Sequence, residues 1–262
     1  MQTAAGRTGT DSLLFGAALV FSPHQDDETI GCGLLMAEKR IRGIPVVVAV
    51  ATDGRGGWYS PTERPAPDDI VEIRHREWHE ALDALAIPRA NRFEFGFPDG
   101  GLHDHEAELA DRIGDLLRTV RPAQVFVTQP GDPHPDHSTL ARAVRQAVSR
   151  IYDFGPGLSH AGVANGSPVG PRPQVFTYRV YPGEGLWRHG RPSGARAAVA
   201  QGGRALLGLP NRRPMLFRGP GSRPTKITAI DAYDSQRRLL GGELRYVWGA
   251  RVELYWPMEG LG

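Results

Sequence analysis

The apolar run Ala17-Ala18-Leu19-Val20-Phe21 stops at Ser22-Pro23-His24-Gln25-Asp26-Asp27-Glu28 and resumes as Thr29-Ile30-Gly31-Cys32-Gly33-Leu34-Leu35-Met36. A short, wholly apolar run ended by Pro reads as a central strand of a parallel sheet, and residues 28–42 have the length and apolar content of the helix that follows it. Ligands of such sheets collect outside the carboxyl ends of the strands. His24, Asp26 and Asp27 are therefore expected where a ligand binds. One Asp would suffice to cap the helix, so capping does not account for three ionisable groups within four positions.

A second run, Gln124-Val125-Phe126-Val127-Thr128, reads as another buried strand and leads into Gln129-Pro130-Gly131-Asp132-Pro133-His134-Pro135-Asp136-His137-Ser138. An imidazole and a carboxylate three residues apart on a turn, His24 and Asp27, can converge on one cation. A third ligand from a second strand end, His137, would complete a His-Asp-His set with a position left for water, as in catalytic zinc sites. On this reading Asp26 points elsewhere and serves as general base. His134 and Asp136 stand behind the ligands, with Asp136 orienting an imidazolium at His134 for oxyanion stabilisation.

With these residues in hand, the chain resembles the LmbE/PIG-L-like metal-dependent de-N-acetylases, whose signatures are a P-H-x-D-D-E elbow after the first strand and a later H-P-D-H loop. Here they appear as Pro23 to Glu28 and His134 to His137. Gln25 stands where that family usually has Pro, a departure in loop stiffness that leaves the ligand set intact. The resemblance runs from about residue 17 to 150. It implies a zinc-dependent hydrolase that removes acetate from an N-acetylated amino sugar, with other divalent ions able to replace zinc. It also implies substrate-binding roles for Arg74, which is followed three residues on by Glu77, and for Asp99 after the third strand.

The rest of the chain supplies the frame. Residues 45–51 read as a second strand, whose Gly-rich tail ends in Trp58 and Tyr59, flat faces suited to sugar rings. A helix over 70–86 carries Val71, Trp78, Leu82 and Leu85 on one stripe, and His75 falls in the same row, as a packed residue. His75, Glu77 and His79 do not have the zinc-protease spacing. A strand at 92–97 ends in the turn Pro98-Asp99-Gly100-Gly101. His103, Asp104 and His105 form a solvated lead-in to a helix over 106–120, and a helix over 138–151 follows the 124–128 strand. The expected fold is α/β: a Rossmann-like, doubly wound, mostly parallel sheet flanked by helices. One domain over 1–262 is expected, with its core at about 14–152. Residues 153–262 make a loop-rich extension, with a strand at 175–181, a helix through 235–240 and an edge strand or covering arm at 252–256.

Composition narrows the functional classes. A single cysteine, Cys32, excludes an intrachain disulfide and a thiolate metal cage. No apolar stretch reaches the length of a spanning helix, and no cleavage pattern marks a signal peptide, so a cytoplasmic location is expected. Between Gly185 and Ile230 there are eight Arg and one Lys without any Asp or Glu, on a chain whose net charge is only +2. That segment favours an anionic or extended amino-sugar substrate, although Arg is abundant throughout the chain. The expected partner is a small N-acetylated sugar or glycoconjugate, with no nucleic acid. Two other readings are an amidase of the same fold acting on a larger conjugate, and a non-catalytic carbohydrate- or nucleic-acid-binding protein that uses the Arg-rich segment.

Overall fold

The computed structural model describes residues 9–57, 65–153, 170–180, 214–219, 221–236 and 252–258. Five strands run parallel: β1 (Ala18–Ser22), β2 (Val46–Thr52), β3 (Arg92–Phe97), β4 (Gln124–Thr128) and β5 (Gln174–Tyr178). β7 (Glu253–Pro257) adds antiparallel to β5, and β6 (Met215–Phe217) antiparallel to β7. The seven strands lie in the order β3-β2-β1-β4-β5-β7-β6.

Among the described residues, five helices of ten residues or more cover the sheet. They are α1 (Asp27–Ile41), α2 (Pro67–Ala84), α3 (Glu106–Val120), α4 (Pro135–Tyr152) and α5 (Arg223–Ala232). The central strands β1, β2 and β4 are buried along their whole length, so their alternating side chains feed two cores. On one face Val20, Val46, Val48, Val50 and Phe126 meet Leu34 and Leu35 of α1, Trp78 and Leu82 of α2 and Ile230 of α5. On the other, Leu19, Phe21, Val47, Ala49 and Val125 meet Leu109, Ile113 and Leu117 of α3 and Leu140, Val144 and Val148 of α4. Each such Val, Leu, Ile or Phe side chain contributes roughly 1.5–3 kcal/mol on leaving water. A strand with no polar face cannot lie at a surface, so the uniformly apolar sequences of β1, β2 and β4 dictate helices on both sides.

Several elements depart from the sequence-based expectations. β7 is interior, between β5 and β6, with Tyr255 fully buried, so it is neither an edge strand nor a covering arm. The edge there is β6, a three-residue strand too short for a periodic signal. His75 is half-exposed rather than packed in the α2 stripe. It is Arg74 that is buried, because its guanidinium has partners on the first loop. α4 begins at Pro135, earlier than expected, since Pro suits the first helical position and the His134 ring accepts the Asp136 N–H. Trp58, Tyr59, residues 237–240 and most of the Arg-rich segment lie outside the described residues. Among the described residues, no helix is long and apolar enough to cross a membrane.

The elements beyond residue 170 grip α1 from the side. Lys226 of α5 and Glu253 of β7 form a fully buried ion pair at 2.8 Å. Glu253 accepts from the Leu34 and Leu35 N–H groups at 2.7 and 3.0 Å and from Tyr255 OH at 2.7 Å, while Lys226 Nζ donates to Ile30 O at 2.6 Å and the Tyr255 oxygen lies 3.2 Å from Gly31 O. Gly31 permits this approach. A Cβ there would lie 2.1 Å from the ring of Tyr178, whose hydroxyl donates to Phe21 O in β1.

Candidate metal centre and active site

Strand order reverses between β1 and β4: β2 and β3 extend one way from β1, and β5 the other way from β4. The crevice at such a switch point is the usual ligand site of an open α/β sheet. The loop after β1 carries His24 to Asp27 and the loop after β4 carries Asp132 to His137, so the two polar loops face each other across it.

The first loop is pinned from below. Pro23 O accepts the backbone N–H and the hydroxyl of Thr52 at 3.0 and 2.9 Å, and Gln25 Nε2 donates to Thr52 O at 3.1 Å. Gln25, the departure from the resembled motif, thus holds the loop with a buried hydrogen bond where a Pro would hold it with a ring. His24 N–H donates to Asp27 Oδ2 at 3.1 Å, which folds the elbow so that both side chains turn to one side.

The expected ligands come together. Asp27 Oδ2 lies 3.1 Å from His24 Nδ1 and 3.3 Å from His137 Nε2. The far nitrogen of each ring faces another carboxylate: His24 Nε2 lies 3.1 Å from Asp136 and 3.2 Å from Asp99, and His137 Nδ1 lies 3.3 Å from Asp132. Carboxylates on the outer nitrogens fix ring orientation and tautomer in metal-binding histidines. Two imidazoles and one carboxylate, each held from behind, suit a divalent transition ion. Asp27 Oδ1 is buried without a hydrogen-bond partner, an acceptor that a cation would satisfy.

Charge follows this geometry in the metal-free chain. Burial opposes ionisation of Asp27, but His137 and His24 hold its carboxyl far below the usual range. Burial pulls His137 down, yet Asp27 and Asp132 lift it to about 9. His24 is likewise raised well above an ordinary histidine, against burial, by Asp136, Asp27 and Asp99. The surrounding carboxylates therefore favour positive charge on the two rings.

The Asp26 carboxylate lies beside this group and faces Arg74. Asp26 occupies φ 116°, ψ −32°, a conformation costly for any residue with a Cβ. Its N–H reaches Glu28 Oε2 at 3.4 Å and its carbonyl accepts Ile30 N–H at 2.9 Å. Tyr233, just past α5, donates to Glu28 Oε1 at 2.6 Å. Arg74 Nη1 lies 3.4 Å from Asp26 Oδ2, and Nη2 donates to Gln25 O. Burial pushes Asp26 up to about 7; Arg74 opposes the rise and the Asp27 and Glu28 carboxylates add to it. A carboxyl poised there both accepts and returns a proton near neutral pH.

The remaining expected residues fall around the ligands. The His134 ring stands edge-on to His24 with centroids 4.7 Å apart, and its Nδ1 accepts the Asp136 N–H at 3.2 Å. The Asp136 carboxylate does not orient His134: it accepts Gly100 and Leu102 N–H at 2.7 and 3.2 Å and faces His24, tying the 98–102 turn to the site. Burial, His24 and His137 push His134 down, opposite to the imidazolium expected from sequence. Asp99 accepts Gly56 N–H at 3.1 Å beside His24. Sequence reasoning missed Asp132, Gln25, Glu28 and Tyr233. Asp132 lay in plain view two residues before His134, whereas nothing local to Tyr233 links it to residue 28.

A family model described as PIG-L: GlcNAc-PI de-N-acetylase matches residues 19–148. The chain is 32% identical over 136 residues to a Bacillus cereus protein named probable N-acetyl-alpha-D-glucosaminyl L-malate deacetylase 2, a match covering 51% of this chain and 61% of that one. It is 29% identical over 244 residues to a Kineococcus radiotolerans protein named 1D-myo-inositol 2-acetamido-2-deoxy-alpha-D-glucopyranoside deacetylase, covering 81% of this chain and 66% of that one. The chain thus spans just under two thirds of these relatives' length. Among solved structures, the conserved protein TT1542 from Thermus thermophilus superposes with TM-score 0.62 at 25% identity, over 92% of this chain and 95% of that one. N,N'-diacetylchitobiose deacetylase from Pyrococcus horikoshii shares the fold with TM-score 0.67 at 20% identity, over 94% and 84%. Residues 19–148, which carry both loops of the centre, form a domain of the PIG-L (LmbE-like) de-N-acetylase family.

Proposed function

We propose that this protein is a zinc-dependent hydrolase that removes acetate from an N-acetylated amino sugar of the N-acetylglucosamine type. The observation that carries the reading is the convergence of His24, Asp27 and His137 on one point with Asp26 held apart beside them. His24, Asp27 and His137 would hold the ion, which when bound supplies an acidified water and an electrophile for the acetyl carbonyl.

Asp26 takes the proton of the attacking water, and its depressed acidity lets it hand that proton to the amine as the C–N bond breaks. Acetate and a free amino sugar leave, and Asp26 is regenerated. Arg74, bonded to Asp26 and to the Gln25 carbonyl, keeps that carboxylate aimed and balances its charge. His134 acts as a neutral donor: with Nδ1 accepting from Asp136 N–H, its proton sits on Nε2, available to the oxygen of the tetrahedral intermediate. Asp99, 3.2 Å from His24 at the rim, would accept from a sugar hydroxyl.

The test is acetate release from N-acetylglucosamine joined to malate, to inositol or to a second sugar, run with metal analysis. Asp26→Ala is expected to keep its metal and lose turnover by roughly 10² or more. A near-native rate in that variant would refute the mechanism. Preference for the malate conjugate over the neutral ones would support an anionic substrate.

A further inference from the structure

A second group of ligand atoms lies on the outer side of α2, and none of its members belongs to the centre described above. His75 and His79 are one helical turn apart, so they share a face, and their rings meet edge to face with centroids 4.5 Å apart. Glu94, on the edge strand β3, reaches both: Oε2 lies 2.8 Å from His75 Nδ1 and Oε1 lies 3.4 Å from His79 Nε2. One ligand atom from each residue falls within 4.8 Å of the others. The His75 side chain is 49% exposed and that of Glu94 35%, so an ion can reach them from solvent.

We propose that His75, His79 and Glu94 form a second, surface site for a divalent transition-metal ion such as Zn²⁺, which ties α2 to the edge of the sheet. Two imidazoles and a carboxylate favour zinc, copper or nickel over magnesium or calcium. Bonds of about 2.0–2.2 Å to a tetrahedral ion separate its ligands by roughly 3.3 Å. With both Glu94 oxygens toward the ion, the 3.4 Å contact from Oε1 to His79 already matches, and the 2.8 Å contact from Oε2 to His75 needs only a small outward turn of an exposed side chain. The helix and the strand therefore present the ligands nearly in place.

Arg92 sets the strength of the site. Its Nη1 donates to His79 Nδ1 at 3.1 Å, and an arginine only donates, so neutral His79 carries its proton on Nε2. An ion at Nε2 must move that proton to the side facing Arg92, which keeps its bonds to the carbonyls of His79 and Ile87 and to Asp83. The cost makes this the weaker of the two metal sites.

The test is equilibrium dialysis of the full chain against Zn²⁺ raised through the micromolar range, with bound metal counted per chain. Two ions are expected, the second bound more weakly. His75→Ala and His79→Ala should each weaken the second ion by more than about tenfold, since loss of a mere supporting partner already costs 10- to 100-fold. Both should retain the tighter ion, which shows that they fold. The inference stands apart from the deacetylase reading, because the count needs no activity. It is overturned by a single ion per chain at saturation, or by a second ion that survives both substitutions.

Discussion

Glu253→Ala tests whether the elements beyond residue 170 hold α1 in place. The Glu253 carboxylate is 4% exposed and accepts from Lys226 Nζ, Leu34 N–H, Leu35 N–H and Tyr255 OH. Truncation leaves a buried ammonium that, among the described residues, keeps only Ile30 O as acceptor. Removing one member of a buried ion pair costs about 3–5 kcal/mol. For a chain of this size each kcal/mol moves Tm by about 2–4 °C, so the expected loss is roughly 6–20 °C in thermal unfolding followed by circular dichroism. Glu253→Gln keeps an acceptor and removes the charge, and should fall between. Combining it with Lys226→Met removes the stranded ammonium and should recover part of the loss, since a buried pair replaced whole is far cheaper than one broken. A Glu253→Ala shift of less than about 2 °C would refute the clamp. So would a double variant less stable than Glu253→Ala.

Other consequences follow from the same contacts. Because the folded value for His137 is raised to about 9, the stability its imidazolium confers on the metal-free chain is fully present below about pH 6.5 and is lost as pH rises through about 9. The same proton competes with the ion, so zinc affinity should climb at least about tenfold per pH unit across that window and then level off. Chelator competition measures this, and a flat profile would show that His137 is not a ligand. Gly31→Ala drives a Cβ to 2.1 Å from the Tyr178 ring, which is fully buried and bonded to β1. Its expected cost is about 1–3 kcal/mol in denaturant unfolding, and a neutral outcome would contradict the close packing there.

The two loops were legible because their chemistry is local. An apolar run broken by Pro and a burst of His and Asp needs no partner to be read, and it placed His24, Asp26, Asp27 and His137 at strand ends. α1 to α4 were legible for the same reason, to within three residues at their starts, whereas α5 was not, since the helix expected in that region lay at 235–240. β6 was not, since three residues carry no period. β7 alternates as an edge strand would, but what makes it interior is β6, which pairs with it from about forty residues away along the chain.

What the sequence determined by itself is the order of buried strands and helices and the identity of the groups at two strand tips, because periodicity and turn chemistry act between near neighbours. Tertiary structure decided how those groups are divided. It turned the Asp136 carboxylate to His24, left the His134 ring accepting the Asp136 N–H, and pushed the His134 pKa down by burial and by His24 and His137, against the expected imidazolium. It buried Arg74 against Asp26, and it brought Asp132 to His137 and Tyr233 to Glu28. Protonation and pairing depend on distances across the crevice and on exclusion of water, and those exist only once the strands have been laid side by side.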